Sequence, residues 1–218
     1  MSNKLFRWLY RRIKSIALFN KIKGKRKNCI KNNGIFYKCK VVFNGCGNVI
    51  HIDNAAKMIN CKIVINGSNN NIYLGKNAFI EKSGILLDFD GNTLSIGNNT
   101  IIGPQNHFSI SEGTSIFIGS DCLTSANIHY RTTDSHSILN KNGERINWCK
   151  NIEIHDHVWV GANAVFLKGS KIGKDCVVSY GAIVTKDFIE TECVIAGCPA
   201  KIVKREINWD KTLIKKEK

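Results

Sequence analysis

From about residue 41 the apolar positions recur in one phrase: an aliphatic residue, usually glycine, two polar residues, a small residue, any residue, then a second aliphatic. The phrase runs from Ile52 to Met58, Leu74 to Ile80, Ile96 to Ile102 and Ile118 to Thr124, then from Ile154 to Val160 and Ile172 to Val178. Its spacings are 22, 22, 22, 36 and 18 residues. Eighteen residues make three hexapeptides, and such a chain winds as a triangular coil with three short strands per turn. Each leading aliphatic then points into the prism. The small residue four places on (Ala56, Ala78, Thr100, Cys122, Val158, Cys176) fits the tight corner beside it. Glycine and asparagine serve turns that need positive φ. The four extra residues of the early periods are expected within 66–71, 88–93 and 111–114. The period of 36 holds one coil plus an inserted loop within about 127–150. An all-β solenoid follows. An ordinary β-sandwich also alternates, but does not hold one phase over so long a span.

Outside the repeat, Leu5, Trp8, Leu9, Ile13, Ile16 and Ile22 fall at roughly helical spacing among cations. Residues 4–22 read either as a basic amphipathic helix lying on an anionic membrane or as a helix packed on the protein itself. Residues 23–33 read as a polar linker. The expected division is an arm and linker at 1–33, a solenoid domain at 34–205 and a basic tail at 206–218.

Composition supports the strand reading. Isoleucine occurs 31 times, asparagine 25 times and proline twice in 218 residues, which suits short strands joined by tight turns. The net charge of +15 is uneven: residues 1–28 hold ten lysines or arginines and no acid. The remainder is close to balanced, so the body is not expected to bind nucleic acid. No run of 18 apolar residues suggests a membrane span, and Arg11, Arg12 and Lys14 interrupt any signal-peptide core. Nine cysteines, an odd number without a CxxC pair, argue against a disulfide framework or zinc ribbon. They read as reduced, buried thiols of a cytoplasmic protein, peripheral to the inner membrane face if the arm binds lipid.

The inserted loop carries Thr132-Thr133-Asp134-Ser135-His136-Ser137-Ile138 and Arg145-Ile146-Asn147. It is followed by His157-Val158-Trp159-Val160-Gly161-Ala162 and a closing Ile195-Ala196-Gly197-Cys198-Pro199-Ala200-Lys201. Together with the hexapeptides, these resemble the hexapeptide-repeat acyltransferases, in particular bacterial surface-polysaccharide O-acetyltransferases that modify capsules and sialic-acid polymers. The resemblance covers residues 41–205. It implies a left-handed parallel β-helix and acetyl-CoA as co-substrate. A prism with three flat faces packs around a threefold axis, so a homotrimer is expected, and without a clustered metal-ligand pattern no metal is expected. The family usually carries asparagine where this chain has Cys198.

Transfer of acetyl to a sugar hydroxyl needs a base, an aligned thioester and donors for the oxyanion. A neutral imidazole suits the first task near pH 7. Of six histidines, His136 lies in the inserted loop two residues after Asp134 and is the expected general base. Asp134 either orients its imidazole or caps a turn. Trp159 points away from the prism and either lines the reaction centre, as the resemblance implies, or packs at a subunit interface. Gly161, Ala162, Gly181 and Ala182 recur at one phase, as a pantetheine groove or as turn chemistry. Lys168, Lys186, Lys201 and Arg205 are candidates for the CoA phosphates, and Pro199 and Ala200 belong to the closing CoA-side turn. No covalent nucleophile is expected, so transfer is direct within a ternary complex. The expected function is O-acetylation of a bacterial glycan. N-acetylation of an amino sugar or small molecule, or a non-catalytic solenoid, are the alternatives.

Overall fold

The computed structural model of the chain describes residues 19–214. These wind into a parallel β-helix whose three faces are sheets of eight, eight and nine strands among the described residues. Sheet A runs from Lys21–Lys23 to Ile183–Val184, sheet B from Cys29–Asn32 to Asp187–Phe188, and sheet C from Ile35–Tyr37 to Lys201–Lys204. Neighbouring strands lie one coil apart in the chain and pair in parallel. The exception is the last pair, where Lys201–Lys204 turns back antiparallel on Val194–Ala196 and closes that end of sheet C.

The sequence phrase is the register of sheet B. Ile52, Leu74, Ile96, Ile118, Ile154 and Ile172 pair with one another in a single column, and all six are fully buried. So are the six small corner residues from Ala56 to Cys176. Between them, Ala55, Asn77, Asn99, Asp121, His157 and Asp175 hold φ of 54 to 59°. Asparagine and aspartate tolerate that left-handed turn better than bulkier residues do. Phe108, Tyr130 and Phe166 stack along the axis with centroids 4.7 and 5.1 Å apart, continuing the core through the coils that flank the insertion.

The corner between sheets A and B carries the surplus residues of the early coils. A column of asparagines ties it. The side-chain amide of Asn48 donates to Asn28 Oδ1 (2.9 Å), that of Asn70 to Asn48 (3.1 Å) and that of Asn92 to Asn70 (2.9 Å). Asn48, Asn70 and Asn92 are fully buried, so these bonds satisfy polar groups that water does not reach. At the same corner, after His129–Arg131, the chain leaves the prism and returns at Ile152–Ile154.

Three expectations change. Residues 23–33 are not a linker: Lys21–Lys23 pairs with Lys40–Asn44 and Cys29–Asn32 with Val49–Ile52, so the solenoid begins near residue 21. Ile22 is therefore in a strand. The remainder of the amphipathic arm lies outside the described residues. The tail is not free up to residue 214, because Ile207 N–H donates to Glu192 O (3.1 Å) and Trp209 is buried. Nor are all the cysteines buried. Cys39, Cys61, Cys122, Cys176 and Cys193 are, whereas Cys29, Cys46 and Cys198 are exposed and Cys149 is half-buried.

Candidate active site

The inserted segment, 132–151, is a hairpin with an anchored base. Leu139 and Arg145 form an antiparallel bridge, and Ile146 N–H donates to Ile138 O (2.9 Å). At its base, Thr132 Oγ1 accepts from Ser111 N–H (3.1 Å) and from Thr114 Oγ1 (2.7 Å), which fixes the exit from sheet A. Arg145 pairs with Glu112 at 2.7 Å and lies over the Trp148 ring at 4.6 Å.

Asn147 is the centre of this construction. It is buried; its Oδ1 accepts from Ile138 N–H (2.7 Å), and its Nδ2 donates to Asp134 Oδ2 and to His136 O, both at 2.8 Å. One side chain thus clasps both strands of the loop around residues 134–138. Lys168, on the next coil, pairs with Asp134 and donates to Asn147 O (2.9 Å). The Lys168 ammonium, helped by the Asn147 amide, holds the Asp134 carboxyl below the usual carboxylate range against a smaller opposing effect of burial.

His136 therefore projects from a fixed backbone. Its imidazole is exposed and makes no hydrogen bond among the described residues. Asp134 is two residues away, but the bonds recorded to its carboxylate come from Asn147 and Lys168. It organises the loop and does not touch the ring. Lys168 is correspondingly committed to the loop and is not a free phosphate ligand.

Trp159 stands outward on sheet C, 42% exposed, between Leu123 and Val177 in the register. The C-terminal segment crosses in front of it. Trp209 stacks on His157 at 4.4 Å, donates its indole N–H to His157 O (2.8 Å) and lies 6.1 Å from Trp159. His157 itself lies 2.8 Å from Asp175 through Nδ1. Trp159, Leu123 and the tail from Trp209 to Ile214 line an open, largely apolar pocket of about 410 Å³. Sequence reasoning missed Trp209, which is a lone aromatic in a charged tail. It also missed the role of Asn147, although that residue was part of the motif.

His136 and Trp159 do not meet within one chain. His136 leaves the A–B corner, and Trp159 lies on sheet C, the face opposite that corner.

The candidate cofactor residues divide. Ala182 and Ala200 are buried and face the core. A Cβ on Gly161 would lie 2.6 Å from Tyr180 N, so close coil packing requires that glycine. Gly181 is different: its φ is 67°, and open space surrounds the position of a Cβ. Its N–H donates to the carbonyl of half-buried Ala162 on the preceding coil (2.9 Å), at the C–A corner. Lys186, Pro199 and Lys201 are exposed near this end, while Arg205 pairs with Glu190 at 2.7 Å.

Burial pushes the Cys122 and Cys176 thiols up to about 11, which keeps them protonated and inert at neutral pH. Among the described residues no cluster of three His, Cys, Asp or Glu side chains is arranged to hold a metal, and no helix is long and apolar enough to cross a membrane.

The family model for the bacterial transferase hexapeptide (six repeats) matches residues 151–186. Over 81 residues the chain is 42% identical to the polysialic acid O-acetyltransferase of Escherichia coli O1:K1 / APEC, covering 37% of this chain and 26% of that protein. Over 52 residues it is 50% identical to the 2,3,4,5-tetrahydropyridine-2,6-dicarboxylate N-acetyltransferase of Staphylococcus aureus (strain JH9), covering 24% and 21%. The matched stretch thus spans about a quarter of the length of these curated relatives. Among solved structures, the polySia-specific acetyltransferase NeuO superposes with a TM-score of 0.78 at 33% identity over 88% of each chain. The polysialic acid O-acetyltransferase OatWY gives 0.78 at 32% over 90% of each.

Proposed function

The chain belongs to the hexapeptide-repeat acetyltransferases, and from that premise we propose that it transfers acetyl from acetyl-CoA to a hydroxyl of an acidic bacterial surface glycan. The observation that carries this reading is the exposed His136 imidazole on a loop clasped by Asn147 and Lys168. The likeness to two polysialic acid O-acetyltransferases over almost the whole chain supports the choice of acceptor.

His136 takes the proton of the acceptor hydroxyl as its oxygen attacks the thioester carbonyl. The tetrahedral intermediate then collapses, the C–S bond breaks, and the imidazolium returns the proton to the departing thiolate. Transfer is direct, and the buried thiols take no part. The open C–A corner beside Ala162 and Gly181 takes the pantetheine arm, with Lys186 and Lys201 toward the phosphates. Trp159 supplies an aromatic wall and one N–H donor beside the reacting groups.

Because His136 and Trp159 lie on opposite sides of one prism, a complete site needs the loop of one copy against sheet C of another. A closed ring of three provides three such sites. The cationic N-terminal segment holds this trimer at an anionic membrane surface on the cytoplasmic side. Deleting residues 1–18, and not the strand at Lys21–Lys23, should abolish salt-sensitive vesicle binding while preserving turnover of a soluble acceptor. Unchanged vesicle binding refutes the membrane role.

The decisive experiment offers labelled acetyl-CoA with sialylated and neutral glycans. Alkali-labile label on the sialylated glycan is expected. Alkali-stable label on an amine acceptor would establish the N-acetyltransferase reading, which the Staphylococcus aureus relative favours. No transfer to any acceptor would reduce the chain to a binding scaffold.

A further inference from the structure

Sheet A carries a trough that the transfer chemistry leaves unused. In the first outward position its successive strands present Lys62, Gly84, His107 and His129. In the second they present Val64, Leu86, Ser109 and Arg131. Gly84 interrupts the first column. A Cβ there would lie 3.2 Å from His107 Nδ1, so the His107 ring occupies the edge of the space the glycine leaves. The hollow measures about 580 Å³, within the range of small-molecule sites. It crosses four strands, roughly 14 Å at the usual inter-strand spacing, which is longer than one sugar ring.

Its chemistry is one-sided. Val64 and Leu86 make an apolar floor. The rim bears Lys62 at one end and Arg131 at the other, with His107 and His129 stacked 4.9 Å apart between them. No carboxylate lines it. Partial burial, then His107 and Arg131, hold the His129 imidazole below its ordinary value, so the trough already disfavours another positive charge. At the Arg131 end, Arg131 Nη2 donates to Ser135 Oγ (2.9 Å), and Ser135 immediately precedes His136.

The geometry points to an acceptor subsite for an acidic glycan: sugar C–H faces on Val64 and Leu86, carboxylates against Lys62 and Arg131, and the chain directed by Ser135 toward His136. The sugar identity rests on the O-acetyltransferase reading; the preference for an anion rests on the trough alone. An apolar floor beneath cationic donors suits a ring with one non-polar face and a carboxylate.

The test separates binding from turnover. A sialic-acid oligomer and neutral maltohexaose are titrated into the full chain without acetyl-CoA, by calorimetry and by NMR of the histidine ring signals. Gly84→Val fills the hollow without changing charge, in a strand position that suits valine. Lys62→Gln removes an exposed charge and guards against misfolding of the first variant. The oligomer should bind saturably and shift the His107 and His129 signals. Affinity should fall about tenfold in Gly84→Val and several-fold in Lys62→Gln, and maltohexaose should not bind. In turnover, both variants should raise KM for the oligomer while kcat and the KM for acetyl-CoA hold. The proposal is overturned if the wild-type chain does not bind the oligomer, if the two histidine signals stay still, or if both variants keep wild-type affinity. Oligomer binding at these residues without acetyl transfer would refute the O-acetyltransferase reading and leave the trough. Transfer with unchanged KM in both variants would do the reverse.

Discussion

The corner between sheets A and B is built in two ways. In the early coils Asn28, Asn48, Asn70 and Asn92 bond from coil to coil, each amide completing the turn beside it. The column ends where Thr114 N–H donates to Asn92 Oδ1 (3.2 Å), and Thr114 hands over to Thr132 at the mouth of the inserted loop. Beyond that point another asparagine, Asn147, does a different job. Its side-chain bonds stay inside its own loop, while Lys168 from the next coil ties that loop down. Bonds between coils make each turn depend on its neighbours, so they hold the prism. Bonds within a loop hold one backbone shape and leave the prism indifferent to it. The molecule thus separates stability from activity at one corner, by the direction in which an amide bonds.

The largest effect expected from this division is at the base itself. His136→Ala should lower kcat by roughly 10² to 10⁴-fold, with the melting temperature unchanged, because the ring makes no contact that the fold uses. Alanine at His51, outward on sheet B, should alter neither. Near-normal turnover by His136→Ala would remove the base assignment.

Next comes the contrast between two asparagines. Asn147→Ala frees the clasp, at about 1 kcal/mol for each lost hydrogen bond. It should lower kcat on the order of tenfold to a hundredfold with little change in Tm. Asn70→Ala deprives the Asn92 backbone and side-chain N–H groups of an acceptor in a buried corner. It should cost about 1 to 3 kcal/mol of stability while turnover well below the melting temperature stays normal. The opposite pattern in either variant, read by thermal melts beside initial rates, would break the distinction.

A smaller signal tests whether the site is shared. Inactive His136→Ala and Trp159→Ala chains, unfolded together in equal amounts and refolded, should recover activity. In a cyclic trimer on the order of a quarter of the interfaces then carry both native residues. No recovery would mean that the two residues act within one chain or that Trp159 is not needed.

How much of this could be read from the chain alone follows from what repeats. The prism was legible because Ile52, Leu74, Ile96 and their successors return in phase, and because left-handed corners favour Asn77, Asn99, Asp121 and Asp175. The insertion was legible as a spacing of 36. The first coil was not: Asn32 occupies the register position that Ile52 fills one coil on. An end coil is covered on one side only and has less need of an apolar column. The roles of Asp134 and Lys168 were also hidden, because their pairing depends on the path of a loop that departs from the repeat. Trp209 has no period to reveal it, and Cys29, Cys46 and Cys198 sit at exposed positions where a small residue need not be apolar.

The smallest effect concerns acid. The folded-state carboxyl of Asp134 is depressed, chiefly by Lys168, so its contribution to loop order is complete above the ordinary carboxylate range. It is lost only as pH falls through the lower folded value. Between pH 8 and 5 the clasp is therefore constant, and a fall in rate over that interval does not arise from loss of loop order. Glu112, held down in the same sense first by Arg145, follows the same rule at the other side of the hairpin. Trp148, exposed beneath Arg145, reports on the loop by its fluorescence once Trp8, Trp159 and Trp209 are replaced by phenylalanine. Its signal should stay level from pH 8 to about 4 and change below that, as the carboxylates protonate. In Asp134→Asn the acid change should shrink to the part due to Glu112, with kcat reduced several-fold across the whole pH range. A transition of the Trp148 signal between pH 7 and 5 in that single-tryptophan chain would show that the loop changes there, and the constancy of the clasp would be refuted.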